Sequence, residues 1–328
     1  MDREDEPLTH HTARAPFLEA ICAAADGDAV LNGAGGVATV LRDRCRFSVL
    51  GGRAGMHRSL GSVHAMNVLL FLGSGFRGAV QRTVDTRVPS SGFGFAVTPC
   101  GSVALVGTGC ELVACRVAND AALRRVDTNV TGPLFSCQIC IAPDGAVFVA
   151  EWGGTRVQVL TPQLDASQII DMEYRPRGVC ADEALAFVSE RNGDRIAVFS
   201  RGAAAHTLLR YITGVKNPTE LCFVPGARHV AVISVGLVKL FTPEGVLVRC
   251  LDTVTLQHPT ALACSACGEL VVVDCYGRIV VFDGDGTAAR TMRVPVQAKG
   301  FVPVIASVAV RGCTIFALTS NGEIHVGA

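Results

Sequence analysis

The sequence predicts an all-β fold, a single β-propeller of four-stranded antiparallel blades. Two observations carry the prediction: one unit of short strands recurs along the whole chain, and one position of that unit stays small in nearly every copy. The unit is clearest from Pro176 to Phe199, which reads Pro-Arg-Gly-Val-Cys-Ala, a short turn, Ala-Leu-Ala-Phe-Val-Ser-Glu, Arg-Asn-Gly-Asp and Arg-Ile-Ala-Val-Phe. Turn chemistry separates three β-prone runs. Asn192-Gly193 is expected to form a type I′ hairpin, whose two central residues both need positive φ. Two or three strands cannot bury an apolar face alone, so each unit must be stacked against neighbours.

In chain order, copies begin at Glu19-Ala-Ile-Cys-Ala, at Gly61-Ser-Val-His-Ala and at Gly92, running to Gly101. Further copies run from Ser136 to Leu160, Pro176 to Phe199, Pro218 to Phe241, Pro259 to Phe282 and Pro303 to Val326. Their turns fall at Gly27, Asn67, Gly101, Gly145, Ala184, Ala227, Gly268 and Gly312. The mean spacing is about 41 residues, the period of a propeller blade rather than of a helical solenoid. The repeat count favours eight blades, and seven if the degenerate second copy is not a full blade. Most units leave room for an outer strand, such as Gly245-Val-Leu-Val-Arg-Cys or Ala205-His-Thr-Leu-Leu-Arg. The last unit ends after its third strand, and an open edge invites aggregation. The N-terminal segment, residues 1–16, is the candidate closing strand for a propeller spanning 17–328.

The small position holds Cys22, Ala96, Cys140, Cys180, Cys222, Ala263 and Ser307, each preceded by an apolar Ile21, Phe95, Ile139, Val179, Leu221, Leu262 or Ala306. Inner strands crowd around a propeller's axis, so one of their faces has room only for small side chains. Four of the cysteines are thereby read as small buried residues.

Composition agrees. Hydrophobic residues make up 49% of the 328 and charged residues 18%, enough apolar material for a large core. Basic and acidic residues balance at 29 each, which removes bulk charge as a reason to bind nucleic acid or an anionic membrane. The N-terminus, Met-Asp-Arg-Glu-Asp-Glu-Pro, lacks the apolar core of a signal peptide, and the longest apolar run, near Ala65–Leu72, has only strand length. The expectation is a cytoplasmic chain with no membrane partner, whose 14 cysteines are reduced thiols.

Three third-strand runs carry a family resemblance: Glu190-Arg-Asn-Gly-Asp-Arg-Ile-Ala-Val-Phe, Asp274-Cys-Tyr-Gly-Arg-Ile-Val-Val-Phe and Glu151-Trp-Gly-Gly-Thr-Arg-Val-Gln-Val. Together with the Pro and Gly before the first strand, they resemble the NHL repeat, most closely over residues 136–282. That resemblance implies a propeller whose face recognises partners, often as the recognition half of a ubiquitin ligase joined to a RING zinc domain. The chain has no RING spacing of Cys and His, so a separate subunit would have to supply one. One NHL group binds single-stranded RNA on a basic face, and a lyase built on similar repeats holds an axial metal.

In such a blade the loop leading into strand one and the hairpin between strands two and three share a face. Arg175, Arg177, Asn217, Glu220 and His258 come from leading loops; Glu151, Trp152, Glu190, Arg191, Asn192, Asp274 and Tyr276 come from hairpins. Aromatic and Arg side chains are the usual interface anchors, so these residues form the candidate partner-binding face. The repeated acids Glu151, Glu190 and Asp274 also read as simple ion-pair partners of Arg156, Arg195 and Arg278. Cys137/Cys140 and Cys264/Cys267 have Cys-x-x-Cys spacing, but no converging ligands lie near them in sequence, and they read as structural. His258 and His64 alone suit an axial metal, too few ligands for a site. No nucleophile elbow or phosphate loop occurs. The function expected is a non-enzymatic protein-interaction scaffold without cofactor or metal, a monomeric domain within a larger assembly. RNA binding around Arg175, Arg177, Arg191, Arg195, Arg201 and Lys216, and a propeller hydrolase or lyase, remain the alternatives.

Overall fold

The computed structural model describes residues 94–101, 103–108, 111–117, 122–126, 138–151, 153–202, 204–251, 256–283, 286–293, 305–312, 314–320 and 323–327, with strand backbone also at 32–33, 36–41, 46–49 and 80–85. β1 (Asn32–Gly33), β2 (Gly36–Leu41) and β3 (Arg46–Val49) form a small antiparallel sheet, and β4 (Val80–Asp85) follows. The first blade is β5 (Phe95–Val97), β6 (Val103–Thr108), β7 (Glu111–Arg116) and β8 (Ala122–Val126). The second is β9 (Ile139–Ile141), β10 (Val147–Ala150), β11 (Arg156–Leu160) and β12 (Ala166–Asp171). The third is β13 (Pro176–Ala181), β14 (Leu185–Glu190), β15 (Arg195–Ser200) and β16 (Thr207–Ile212). The fourth is β17 (Pro218–Val224), β18 (His229–Ser234), β19 (Leu237–Phe241) and β20 (Leu247–Cys250), and the fifth β21 (Pro259–Cys264), β22 (Leu270–Asp274), β23 (Arg278–Phe282) and β24 (Ala288–Arg293). The sixth joins β25 (Ile305–Arg311), β26 (Thr314–Thr319) and β27 (Glu323–Gly327) to β4.

The core lies between blades. Phe148 and Val157 of the second blade pack with Val179, Val188 and Phe199 of the third. Phe187 and Val198 meet Leu221, Val230 and Phe241 of the fourth. The same arrangement joins fourth to fifth and fifth to sixth, and Phe95 and Val97 of the first meet Phe316, Leu318 and Ile324 of the sixth. Each fully buried Val, Leu or Phe contributes about 1.5–3 kcal/mol, so the blade interfaces hold the fold. The inner strands touch in the cycle β5, β9, β13, β17, β21, β25 and back to β5.

The ring among the described residues therefore has six four-stranded blades, where the repeat spacing led to seven or eight. Spacing counts turns; it does not show whether a unit packs into the ring. The units near Glu19 and Gly61 lie largely outside the described residues. The open edge of the last unit is covered by β4, with Ile324 opposite Val84 and His325 opposite Thr83. The strand on that edge is Val80–Asp85, not the expected residues 1–16, which lie outside the described residues.

Three further expectations also change. Glu190 pairs with Arg195, leaving a four-residue loop, and Asp194 rather than Asn192-Gly193 takes positive φ, at 48°. Gly193 is required for space instead: a Cβ there would lie 2.9 Å from Tyr174 and 3.1 Å from Glu190 Oε2. The two-residue hairpin with both central φ values positive is Val235-Gly236, at 51° and 73°. In the last blade the column slips by two residues, because Ile305 pairs with Thr319 as Pro259 pairs with Asp274. Val308 and Ala309, not Ala306 and Ser307, take the apolar and small positions. Cys100 is disulfide-bonded, against the expectation of reduced thiols throughout.

Candidate functional site

The leading loops and second-to-third-strand hairpins do share one face. The Arg191 amide donates to the Arg175 carbonyl at 3.2 Å, the Cys275 amide to the His258 carbonyl at 3.1 Å, and the Asn217 amide to Asp194 Oδ1 at 2.7 Å. This last bond ties the third-blade hairpin to the loop leading into the fourth.

The repeated acids point inward. Glu190 is 1% exposed and accepts a hydrogen bond from Arg195 Nε. Arg195 also donates to Glu173 Oε2 at 2.5 Å and lies over the Tyr211 ring at 3.7 Å. Burial works against its charge, but the bonds from Glu190 and Glu173 outweigh that and hold the guanidinium protonated. Asp274, fully buried, accepts the amides of Tyr276 (2.9 Å) and Arg278 (3.0 Å) on Oδ1 and Arg278 Nε (2.7 Å) on Oδ2. Asp274 knots its own hairpin. Glu151 is buried too, and burial pushes its carboxyl up while Arg156 opposes that shift. The expected partner Arg156 makes its ion pair with Asp171, at 3.5 Å. Glu190 and Asp274, placed on the binding face by the sequence reading, are spent on bonds within the fold, and Glu151 is buried rather than exposed on that face.

Glu220 is the larger correction. Every inner strand from the third blade onward bulges just after its first residue: Pro176 pairs with Glu190 but Val179 with Val188, and Pro218 with Ser234 but Leu221 with Val232. The bulge frees amides from the ladder, and side chains of other blades take them. Gln138 Oε1 accepts both the Val179 and Leu221 amides at 3.0 Å, and its Nε2 donates to the Leu221 carbonyl at 2.6 Å. Glu220 Oε2 accepts the Leu262 amide at 3.0 Å. A second-blade side chain reaches the fourth blade only across the inside of the ring. Residues in this position elsewhere, Gly94, Gly178, Ala261 and Ser307, are small. A Cβ on Gly178 would lie 2.3 Å from the Thr219 carbonyl and 2.8 Å from Gln138 Oε1. Burial pushes the Glu220 carboxyl up to about 8, against the Leu262 amide and the Arg177 charge. Gln138 and Glu220 thus form a polar lattice lining the ring. Gln138 went unselected in the sequence; its signal is a long polar residue directly before the apolar column.

What stays on the surface is a subset. Arg175, Arg191 and Asn192 are exposed and, with Pro176, line a shallow cleft between the leading loop and hairpin of the third blade. Arg177 is half-buried beside them. Asn217 and His258 are exposed, each with positive φ directly before a proline. Tyr276 is 65% exposed at the fifth-blade hairpin. Val235, missed in the sequence, is 63% exposed with φ 51°, an unusual conformation for a β-branched residue. Trp152 lies outside the described residues.

Burial pushes the thiols of Cys140, Cys180 and Cys222 up, so they are inert small residues, as their column predicts. Cys264 and Cys267 are free thiols bonded locally to Ser265. Cys137 and His64 lie outside the described residues. Among the described residues no group of three or more His, Cys, Asp or Glu is placed to hold a metal, and no helix is long and apolar enough to cross a membrane.

No protein-family model matches the sequence, and no curated protein matches it. Solved structures do share the fold. A streptogramin B lyase superposes with a TM-score of 0.55 at 14% identity, over 75% of this chain and 86% of its own. The WD40 β-propeller domain of Doa1 superposes with a TM-score of 0.56 at 13% identity, over 90% of each chain. The chain is a β-propeller of four-stranded antiparallel blades. At these identities the likeness extends to the fold alone.

Proposed function

We propose that this propeller is a non-enzymatic interaction scaffold that holds a protein or peptide partner on the face carrying Arg175, Arg191, Asn192, Asn217, His258 and Tyr276. The observation that carries the reading is the division of labour on that face. Glu190 and Asp274 are consumed by internal bonds and Glu151 is buried, while Arg175, Arg191 and Asn192 stand in solvent around a cleft. Arg175 and Arg191, with Lys216 nearby, give the third-blade sector cationic groups. Val235 and Tyr276 add exposed apolar and aromatic surface on the fourth and fifth blades. An extended segment with acidic residues set beside apolar ones suits this surface, through charge-assisted bonds to Arg and burial of apolar side chains. The NHL-like hairpins of residues 136–282 support a role as the recognition subunit of a ligase-type assembly, with catalysis supplied by another chain.

Selection from a displayed random-peptide library tests the reading. Wild type is expected to enrich acidic–apolar peptides, and Arg175→Glu with Arg191→Glu to lose them at an unchanged melting temperature. Failure to enrich any peptide, or enrichment indifferent to the double variant, overturns it. Capture of single-stranded oligouridine in preference to peptide would move the assignment to RNA.

A further inference from the structure

The cleft of the third blade is built from two loops that hydrogen bonds hold in place. Arg175 and Pro176 come from the leading loop, Arg191 and Asn192 from the hairpin. The Arg191 amide donates to the Arg175 carbonyl, the Gly193 amide to the Glu190 carbonyl, and the Asn217 amide to Asp194 Oδ1. A Cβ at Gly193 would collide with Tyr174, so the hairpin has little room to shift. Both walls of the cleft are therefore fixed before anything binds. Its volume is about 50 Å³. That is room for about four water molecules, the size of a single tetrahedral oxyanion.

The acids of this sector are drawn away from the cleft. Glu190 and Glu173 both accept hydrogen bonds from Arg195, and Asp194 accepts the Asn217 amide. Arg175 and Arg191 are exposed on its two walls, and Lys216 is exposed in the next leading loop. One guanidinium fork is filled by the two oxygens of a carboxylate. A second fork on the facing wall calls for further acceptor oxygens. A phosphate monoester offers three, with a charge of about −1.5 to −2 at neutral pH. A phosphodiester belongs to a strand that needs a basic track and surfaces for its bases to stack on. Tyr276 stands two blades away, at the fifth-blade hairpin.

We propose that this cleft is a phosphate-monoester site that reads a phosphoserine or phosphothreonine within an extended peptide; the proposal rests on the scaffold function and names the group the scaffold selects. Arg175 and Arg191 clamp the phosphate from the two loops, and the Asn192 side-chain amide donates to a remaining oxygen. The short stem of Ser or Thr suits a shallow cleft. Apolar residues of the same peptide lie across the fourth- and fifth-blade hairpins, where Val235 and Tyr276 are exposed.

Fluorescence anisotropy with short randomised peptides tests the site, using sets with a fixed central phosphoserine, glutamate or serine beside 5′-phosphorylated oligouridine. Wild type is expected to bind the phosphoserine set at least tenfold tighter than the glutamate set. Arg175→Ala and Arg191→Ala should each abolish that preference. Arg175→Lys with Arg191→Lys should weaken phosphoserine binding about fivefold, because Lys keeps the charge and loses the fork. All variants should melt with wild type. Equal binding of the phosphoserine and glutamate sets, lost in Arg175→Ala, overturns the phosphate site and leaves the scaffold standing. A phosphoserine preference that survives the Arg substitutions overturns the site as well. Binding to none of the peptide sets overturns both site and scaffold, and tighter binding of oligouridine than of phosphoserine peptides gives the cleft to RNA.

Discussion

The hairpins of the third and fifth blades carry the same acid–Arg motif and use it alike, yet the residues beside the motif behave in opposite ways. Glu190 and Asp274 are both buried, one bonding Arg195 and the other Arg278 together with two amides. One step away Arg191 is exposed, and two steps away Tyr276 is the more exposed residue of its loop. The motif fixes the loop and so gives the residues inside it a rigid base. A repeated charge is thus a poor guide to a binding site in a propeller, and a non-repeated residue within the same loop is the better one.

The comparison breaks most readily at its buried half. Asp274→Ala strands a part-buried Arg278 and the amides of Gln257, Tyr276 and Arg278, and is expected to cost about 3–5 kcal/mol by chemical denaturation. A loss below about 1 kcal/mol would return Asp274 to the surface set. Next comes the lattice inside the ring. Gln138→Leu removes the acceptor for the Val179 and Leu221 amides, and should cost about 2–3 kcal/mol, read in the same way.

Glu220 sharpens the comparison through pH. Its folded pKa, about 8, lies above the ordinary 4.5, so the folded state holds the proton more tightly than the unfolded state. Its contribution is complete below the unfolded pKa and is lost as pH rises through the folded value. Between about pH 5 and 8 wild type should lose stability relative to Glu220→Gln. Equal slopes for the two proteins would place Glu220 in solvent. The smallest effect belongs to the exposed pair of Arg156 and Asp171: Arg156→Ala should change stability by less than about 0.5 kcal/mol.

The blade was legible from sequence because strand alternation, turn residues and the small inner column all depend on local order. Ring size was not, since the units near Glu19 and Gly61 repeat the pattern without showing where they pack, and the strand that completes the last blade is Val80–Asp85. The candidate face was legible at Arg175, Arg191, Asn192, Asn217, His258 and Tyr276, whose place follows from strand direction. Glu220 was misplaced because the bulge that turns its carboxylate to Leu262 is set by pairing between strands, which a linear pattern does not display. Val235 was missed because nothing in its residue type announces positive φ; the two-residue gap between Ser234 and Leu237 imposes it.

The most direct measurement is a titration of a library-selected acidic–apolar peptide, at low and high salt, against wild type, Arg175→Glu/Arg191→Glu and Tyr276→Ala. Binding that weakens with salt, falls at least tenfold in the Arg pair and falls less in Tyr276→Ala, with all three proteins melting together, is the predicted result. Equal affinity across the three proteins would contradict the binding face.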